Sequence, residues 1–140
     1  MKLFFIWQLA GNTPPINLIS KSIYLLKDLD RSAAIFKLPM TFPSFHPVDT
    51  MKTMRVLTYL KAKHPSRLEP CTHHLFHSYF AKEEDAGQDH VILAALVKSG
   101  FSEAEGKHIL EVEINLKSIK DTLKKVVEKS VADGAFGGTR

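Results

Sequence analysis

The sequence predicts a mostly α fold: one short N-terminal strand followed by about six helices in a compact bundle. Three observations carry that reading. Apolar residues recur at spacings of three and four through most of the chain. Ser66-x-x-Glu69 and Ser102-x-x-Glu105 match the reciprocal cap that opens helices, in which each side chain satisfies the other residue's orphan backbone N–H. Strand-forming residues run together only in Met1–Leu9.

In Met1–Leu9, Phe4, Phe5, Ile6 and Trp7 form a short apolar run, read as a buried strand in preference to a signal peptide. Left without neighbouring strands, that run predicts self-association. Gly11-Asn12-Thr13-Pro14-Pro15 is turn chemistry. A helix is expected from about Asn17 to Lys37, with Ile19, Ile23, Leu26, Leu29, Ala33 and Phe36 as one apolar stripe. Pro39 stops it. The prolines between Leu38 and Pro47 predict an extended loop, pinned by Phe42 and Phe45.

A second helix is expected from Asp49 or Thr50 to Lys63, with Met51, Met54, Leu57 and Leu60 inward. The third opens at the Ser66 cap and runs to Lys82, with Leu68, Leu75, Phe76, Tyr79 and Phe80 on its inner face and Pro70 near its first turn. Asp89 to Ser99 is apolar nearly all round, which predicts the most buried helix, ended by Gly100. Ser102 opens a short helix through Ile114. The last spans about Asn115 to Ala132, with Leu116, Ile119, Leu123, Val126, Val127 and Val131 along one face.

Composition narrows the function. A chain of 140 residues, 44% hydrophobic and 24% charged, fits one globular domain. No apolar run approaches the ~18 residues of a membrane-spanning helix, so no membrane partner is expected. One cysteine excludes an intrachain disulfide and the multi-cysteine zinc sites. Residues 1–70 hold ten Lys and Arg against four Asp and Glu, and residues 71–140 hold nine against eleven, so the first half is basic. Those cations are scattered at helical spacing without interleaved aromatics. They read as a solvated surface, and no nucleic-acid partner is expected.

Few residues carry candidate chemistry. Cys71, His73, His74 and His77 lie within seven positions, and His73 and His77 share a helix face as zinc-binding pairs do. Cys71 and His74 project elsewhere, so a polar helix face without metal is the expectation. Cys71 near a helix N-terminus could be a nucleophile, but no placed base accompanies it, and a small buried hydrophobe is the plainer reading. No catalytic residue is assigned. Asn12, stiffened by Pro14-Pro15, either presents a fixed amide to a ligand or simply tolerates a turn.

Gly11-Asn12-Thr13-Pro14-Pro15, then Lys21, Tyr24 and Asp28-Leu29, then Leu38-Pro39, Phe42-Pro43, Met54-Arg55-x-Leu57 and His64-Pro65, then Gly134-Ala135-Phe136-Gly137, form an ordered series from Gly11 to Gly137. In order and spacing it resembles the kappa-class glutathione transferases and the related 2-hydroxychromene-2-carboxylate isomerases. The resemblance implies the helical insertion domain of a thioredoxin-like fold of the disulfide-oxidoreductase type. Residues 1–16 would be a remnant strand and turn of the thioredoxin-like part, 17–133 the helical domain, and 134–140 a truncated return to the sheet. It implies glutathione as substrate, contacted by Asn12, with Lys21 near the same pocket. Gly138 would offer backbone hydrogen bonds, although Thr139 stands where the family has a cis-proline. The family activates the thiol with a serine on an N-terminal strand–helix unit, and this chain begins after that unit. Conjugation to electrophiles is therefore expected to be impaired. The alternatives are a glutathione-dependent isomerase relative and a non-catalytic helical module that pairs with a second copy or a full-length relative. The compartment implied is intracellular: mitochondrial, peroxisomal or cytoplasmic.

Overall fold

The computed structural model describes residue 6, residues 9–13 and residues 17–136. Among the described residues from Ile19 onward, six α-helices follow one another: α1 (Ile19–Phe36), α2 (Met51–Lys63), α3 (Pro65–Lys82), α4 (Asp89–Lys98), α5 (Glu103–Glu111) and α6 (Lys117–Ala132). A 3-10 turn, Glu113–Asn115, links the last two. The expected N-terminal strand falls mostly outside the described residues. The two described positions within it, Ile6 and Leu9, are helical, and the Ala10 N–H donates to the Ile6 carbonyl at 2.9 Å. An unbroken apolar run lacks a period, so it does not by itself distinguish strand from helix.

Helix α2 is the hub. It packs against α3, α5, α6 and the 3-10 turn, while α4 bridges α3 and α5. The core is built from Val56, Tyr59 and Leu60 on α2, Cys71 and Leu75 on α3, Ile92, Ala95 and Leu96 on α4, with Phe101, Ile109, Ile114 and Ile119 closing it. The inward face of α2 differs from the expected one. Thr53, Val56, Tyr59 and Leu60 are buried, whereas Met51, Met54 and Leu57 are only partly covered. Neighbours on several sides rotate the buried arc away from the most apolar stripe. Thr53 tolerates burial because its hydroxyl donates to the Ala86 carbonyl.

The two cap-like sequences behave differently. At Ser102 the box forms: the Ser102 hydroxyl accepts from the Glu105 N–H, and the Ser102 N–H donates to the Glu105 carboxylate at 2.7 Å. At Ser66 it does not, because Pro65 already occupies the first helical position and leaves Ser66 inside α3 without a capping bond. The inner face of α3 is Cys71, Leu75, Ser78 and Tyr79. Phe76, expected inward, is 58% exposed. Helix α4 buries Val91, Ile92, Ala95 and Leu96 but leaves Ala94 and Val97 to solvent, so it is not enclosed all round. On α6, Ile119, Leu123 and Val127 are buried and Val126 is exposed. The helix expected through Ile114 stops at Glu111, where the Asn115 side chain donates to the Glu111 carbonyl at 3.0 Å.

Helix α1 has the expected length and the expected stripe, yet none of its residues is buried. Ile19 is 79% exposed and Phe36 70%, and α1 shares no extensive interface with the other described helices. Its C-terminus closes on Lys37 in the left-handed region, with the Leu38 N–H donating to the Ala33 carbonyl at 2.9 Å. The proline-rich loop then crosses α3. The Thr41 N–H donates to the Phe80 carbonyl at 2.7 Å, Pro43 is buried, and His46 Nδ1 lies 2.6 Å from the Tyr79 hydroxyl. Phe45 stays exposed, with its ring edge against Tyr79. Pro43 therefore does the anchoring expected of Phe45.

Candidate functional site

The candidate site lies where the ends of the described chain meet. Gly11 takes a positive φ of 64°, and the next residue, Asn12, folds its side chain onto its own backbone, so that the Thr13 N–H donates to Asn12 Oδ1 at 2.9 Å. That bond fixes the plane of the amide. The Asn12 Nδ2 then donates to the Phe136 carbonyl at 2.7 Å, a contact between residues 124 positions apart.

The Phe136 carbonyl is brought there by the end of α6. Gly134 takes φ +88°, the Gly134 N–H donates to the Val131 carbonyl at 3.0 Å, and the Ala135 N–H reaches the Ser130 carbonyl at 2.9 Å. These are the two bonds of a Schellman turn, which reverses the chain after the helix. Glycine suits the position because a side chain there would carry the steric cost of the left-handed region. The G-N and G-A-F segments thus meet through one side chain and one carbonyl.

Lys21 occupies the first turn of α1, exposed. That turn holds no acidic residue and no side-chain cap, so the helix dipole and the Lys21 ammonium have the same sign there. Among the described residues no hydrogen bond joins Lys21 to Asn12. Gly138 lies outside the described residues. The partner of Asn12 was not identifiable from sequence, because a main-chain carbonyl carries no residue signature.

The other candidates separate. Cys71 is fully buried, and burial pushes its thiol up to about 11, outweighing the lowering effect of a hydrogen bond to Ser99. A thiol held protonated in the core is no nucleophile at neutral pH. His73 and His77 are exposed on the opposite face of α3, and His73 sits 3.7 Å from the Glu69 carboxylate. Among the described residues no group of three or more His, Cys, Asp or Glu side chains converges as metal ligands would. No described helix is long and apolar enough to cross a membrane.

A helical domain whose flanking segments return to one point is the arrangement expected of an insertion in a thioredoxin-like fold. The sequence matches the DSBA-like thioredoxin domain over residues 1–137, and the chain belongs to that family. Within it, the chain is similar to Glutathione S-transferase kappa 1 of Homo sapiens, 32% identical over 133 residues, and to that of Rattus norvegicus, 29% identical over 133 residues. Each alignment covers 91% of this chain and 58% of the relative, so the chain spans little more than half the length of these relatives.

Proposed function

We propose that the chain binds glutathione through Asn12, Lys21 and Gly138, and that its activity is of the kappa-class transferase type, joining the tripeptide to electrophiles. The observation that carries the proposal is the Asn12–Phe136 hydrogen bond, which holds a fixed amide beside the segment leading to Gly138. Lys21 at the unneutralised start of α1 supplies positive potential suited to a glutathione carboxylate. Residues 1–16, 17–133 and 134–140 are proposed as the flanking turn, the helical domain and the return segment.

Glutathione reacts as its thiolate, so binding of the tripeptide and its conjugation are separate steps, read by separate assays. Transferase and hydroxychromene carboxylate isomerase readings call on the same glutathione contacts, and parallel assays with a chloronitrobenzene and a hydroxychromene carboxylate separate them. Both readings suit an intracellular compartment holding glutathione: mitochondrial, peroxisomal or cytoplasmic.

Calorimetric titration with reduced glutathione tests the binding step. One-to-one saturation is expected, weakened about tenfold by Asn12→Ala and about three- to tenfold by Lys21→Ala, the range for losing a hydrogen bond or ion pair to a charged ligand. Lys21 is exposed, so its replacement leaves the bundle intact. Titration heats unchanged by both substitutions would remove these residues from the site.

The exposed stripe of α1 favours a second reading, in which the helix pairs with a second copy or a full-length relative. Sedimentation equilibrium is expected to show a dimer that Ile23→Asp returns to monomer. A wild-type monomer at high concentration would exclude pairing with a second copy, and failure to co-sediment with a full-length relative would exclude the other partner.

A further inference from the structure

Between α2 and α3 lies a pocket of about 340 Å³, open to solvent on one side and distinct in its lining from the Asn12 region. Met54 and Leu57 form one wall, and Leu75, Phe76, Tyr79 and Phe80 form the other. These are the α2 residues that periodicity sends to the core and that the fold leaves partly uncovered. We propose that this cavity is a binding site for an uncharged aromatic molecule of two fused rings.

Three observations fix that chemistry. The first is charge: among the described residues no Asp, Glu, Lys, Arg or His lines the pocket, so a charged group inserted against its walls would lose hydration without a partner to compensate. The second is polar satisfaction. The Thr72 hydroxyl donates to the Leu68 carbonyl at 2.8 Å, the Thr53 hydroxyl donates to the Ala86 carbonyl, and the Tyr79 hydroxyl is bonded to His46. These groups are already engaged within the protein, so a ligand rich in donors and acceptors finds little to exchange for its lost water.

The third is size and shape. An apolar cavity of about 150 Å³ accommodates one benzene ring. The present cavity has a little over twice that volume, room for two fused rings. Its α3 wall is aromatic, with Tyr79 edge-on to Phe80 at 4.9 Å and Phe76 tilted against Phe80 at 6.1 Å. Such rings offer both faces and edges to an aromatic guest. Phe76, exposed on one side, stands at the mouth.

The test uses the full chain and 1-aminonaphthalene, which is neutral at pH 7.5 and changes its fluorescence on leaving water. Saturable one-to-one binding is expected, with 1-naphthalenesulfonate at least about tenfold weaker, because no described cation lines the pocket to pair with its charge. Met54→Trp fills the cavity and Phe76→Arg places a cation at its mouth. Each should weaken binding about tenfold or more. Position 76 is solvent-exposed, so the second variant keeps its fold, and a helical melt checks both. Binding is expected to be the same with and without glutathione. The proposal is overturned by unsaturable binding, by equal affinity for the sulfonate, by wild-type affinity in Phe76→Arg, or by displacement of the probe by glutathione. Loss of glutathione binding alone leaves it standing.

Discussion

The Asn12 side-chain amide donates to the Phe136 carbonyl at 2.7 Å, tying the turn before α1 to the turn after α6. The bond depends on an N–H donor, so its removal is asymmetric. Asn12→Ala deletes it, whereas Asn12→Asp puts a negative oxygen beside the carbonyl. The bond is exposed, so its net worth is about 0.5–1.5 kcal/mol. Amide exchange at Gly134 and Ala135 is expected to quicken about two- to tenfold in Asn12→Ala and further in Asn12→Asp. The α4 amides should not change. Unaltered exchange at residues 134 and 135 in both variants would show that the contact does not hold the turn.

Cys71 offers a test of the core. Its thiol is pushed up to about 11 and shielded by α2 and α4. At pH 8 the thiolate would be about one part in a thousand, before access is considered. A disulfide reagent should therefore label the native chain at a rate set by unfolding, and label the chain at once in denaturant. Rapid stoichiometric labelling of the folded protein would contradict the burial.

The capping box of α5 links stability to pH. The Ser102 backbone N–H and hydroxyl both donate to the Glu105 carboxylate and hold its carboxyl below the usual range. A depressed folded value means that the contribution is present above the unfolded value of about 4.3 and is lost as pH falls through the lowered one. Ser102→Ala is expected to cost about 1 kcal/mol at pH 7. Thermal melts at pH 7 and pH 3 should show the gap between wild type and variant narrowing in acid. A gap independent of pH would mean that Glu105 plays no part in the cap.

Gly87 is fixed by close approach. A Cβ built there would collide with the Asp49 carbonyl, a backbone atom that cannot rotate away. Gly87→Ala should therefore destabilise the chain by about 1–3 kcal/mol, as overpacking does, measured by urea denaturation. Wild-type stability would show that the α3–α4 loop yields.

Periodicity and caps located the six helices from α1 to α6 to within a few residues, because both are local signals, whereas Ile6 and Leu9 are helical in a segment read as a strand. What they missed was decided by neighbours distant in sequence. Ser66 and Ser102 carry the same pattern, but α3 begins at Pro65 with His64 at its cap position, and the box forms only at Ser102. Met54, Leu57 and Phe76 are as apolar as any core residue, yet they border a cavity, because α2 turns Thr53 and Val56 inward instead. The stripe on α1 is visible in the sequence, but its exposure depends on which surfaces lie beside it. Asn12 stood out through its turn chemistry and family resemblance. Its partner, a main-chain carbonyl, could be found only in three dimensions.

The glutathione proposal is tested most directly by a thermal melt followed by far-ultraviolet circular dichroism, with and without reduced glutathione. A ligand that binds only the folded state must stabilise it, by about 1.4 kcal/mol at ten times its dissociation constant. For a domain of this size that is an upward shift of about 4–6 °C, and Lys21→Ala should shrink it. A cooperative helical melt whose midpoint ignores millimolar glutathione would contradict the proposal and leave a folded helical domain without that ligand.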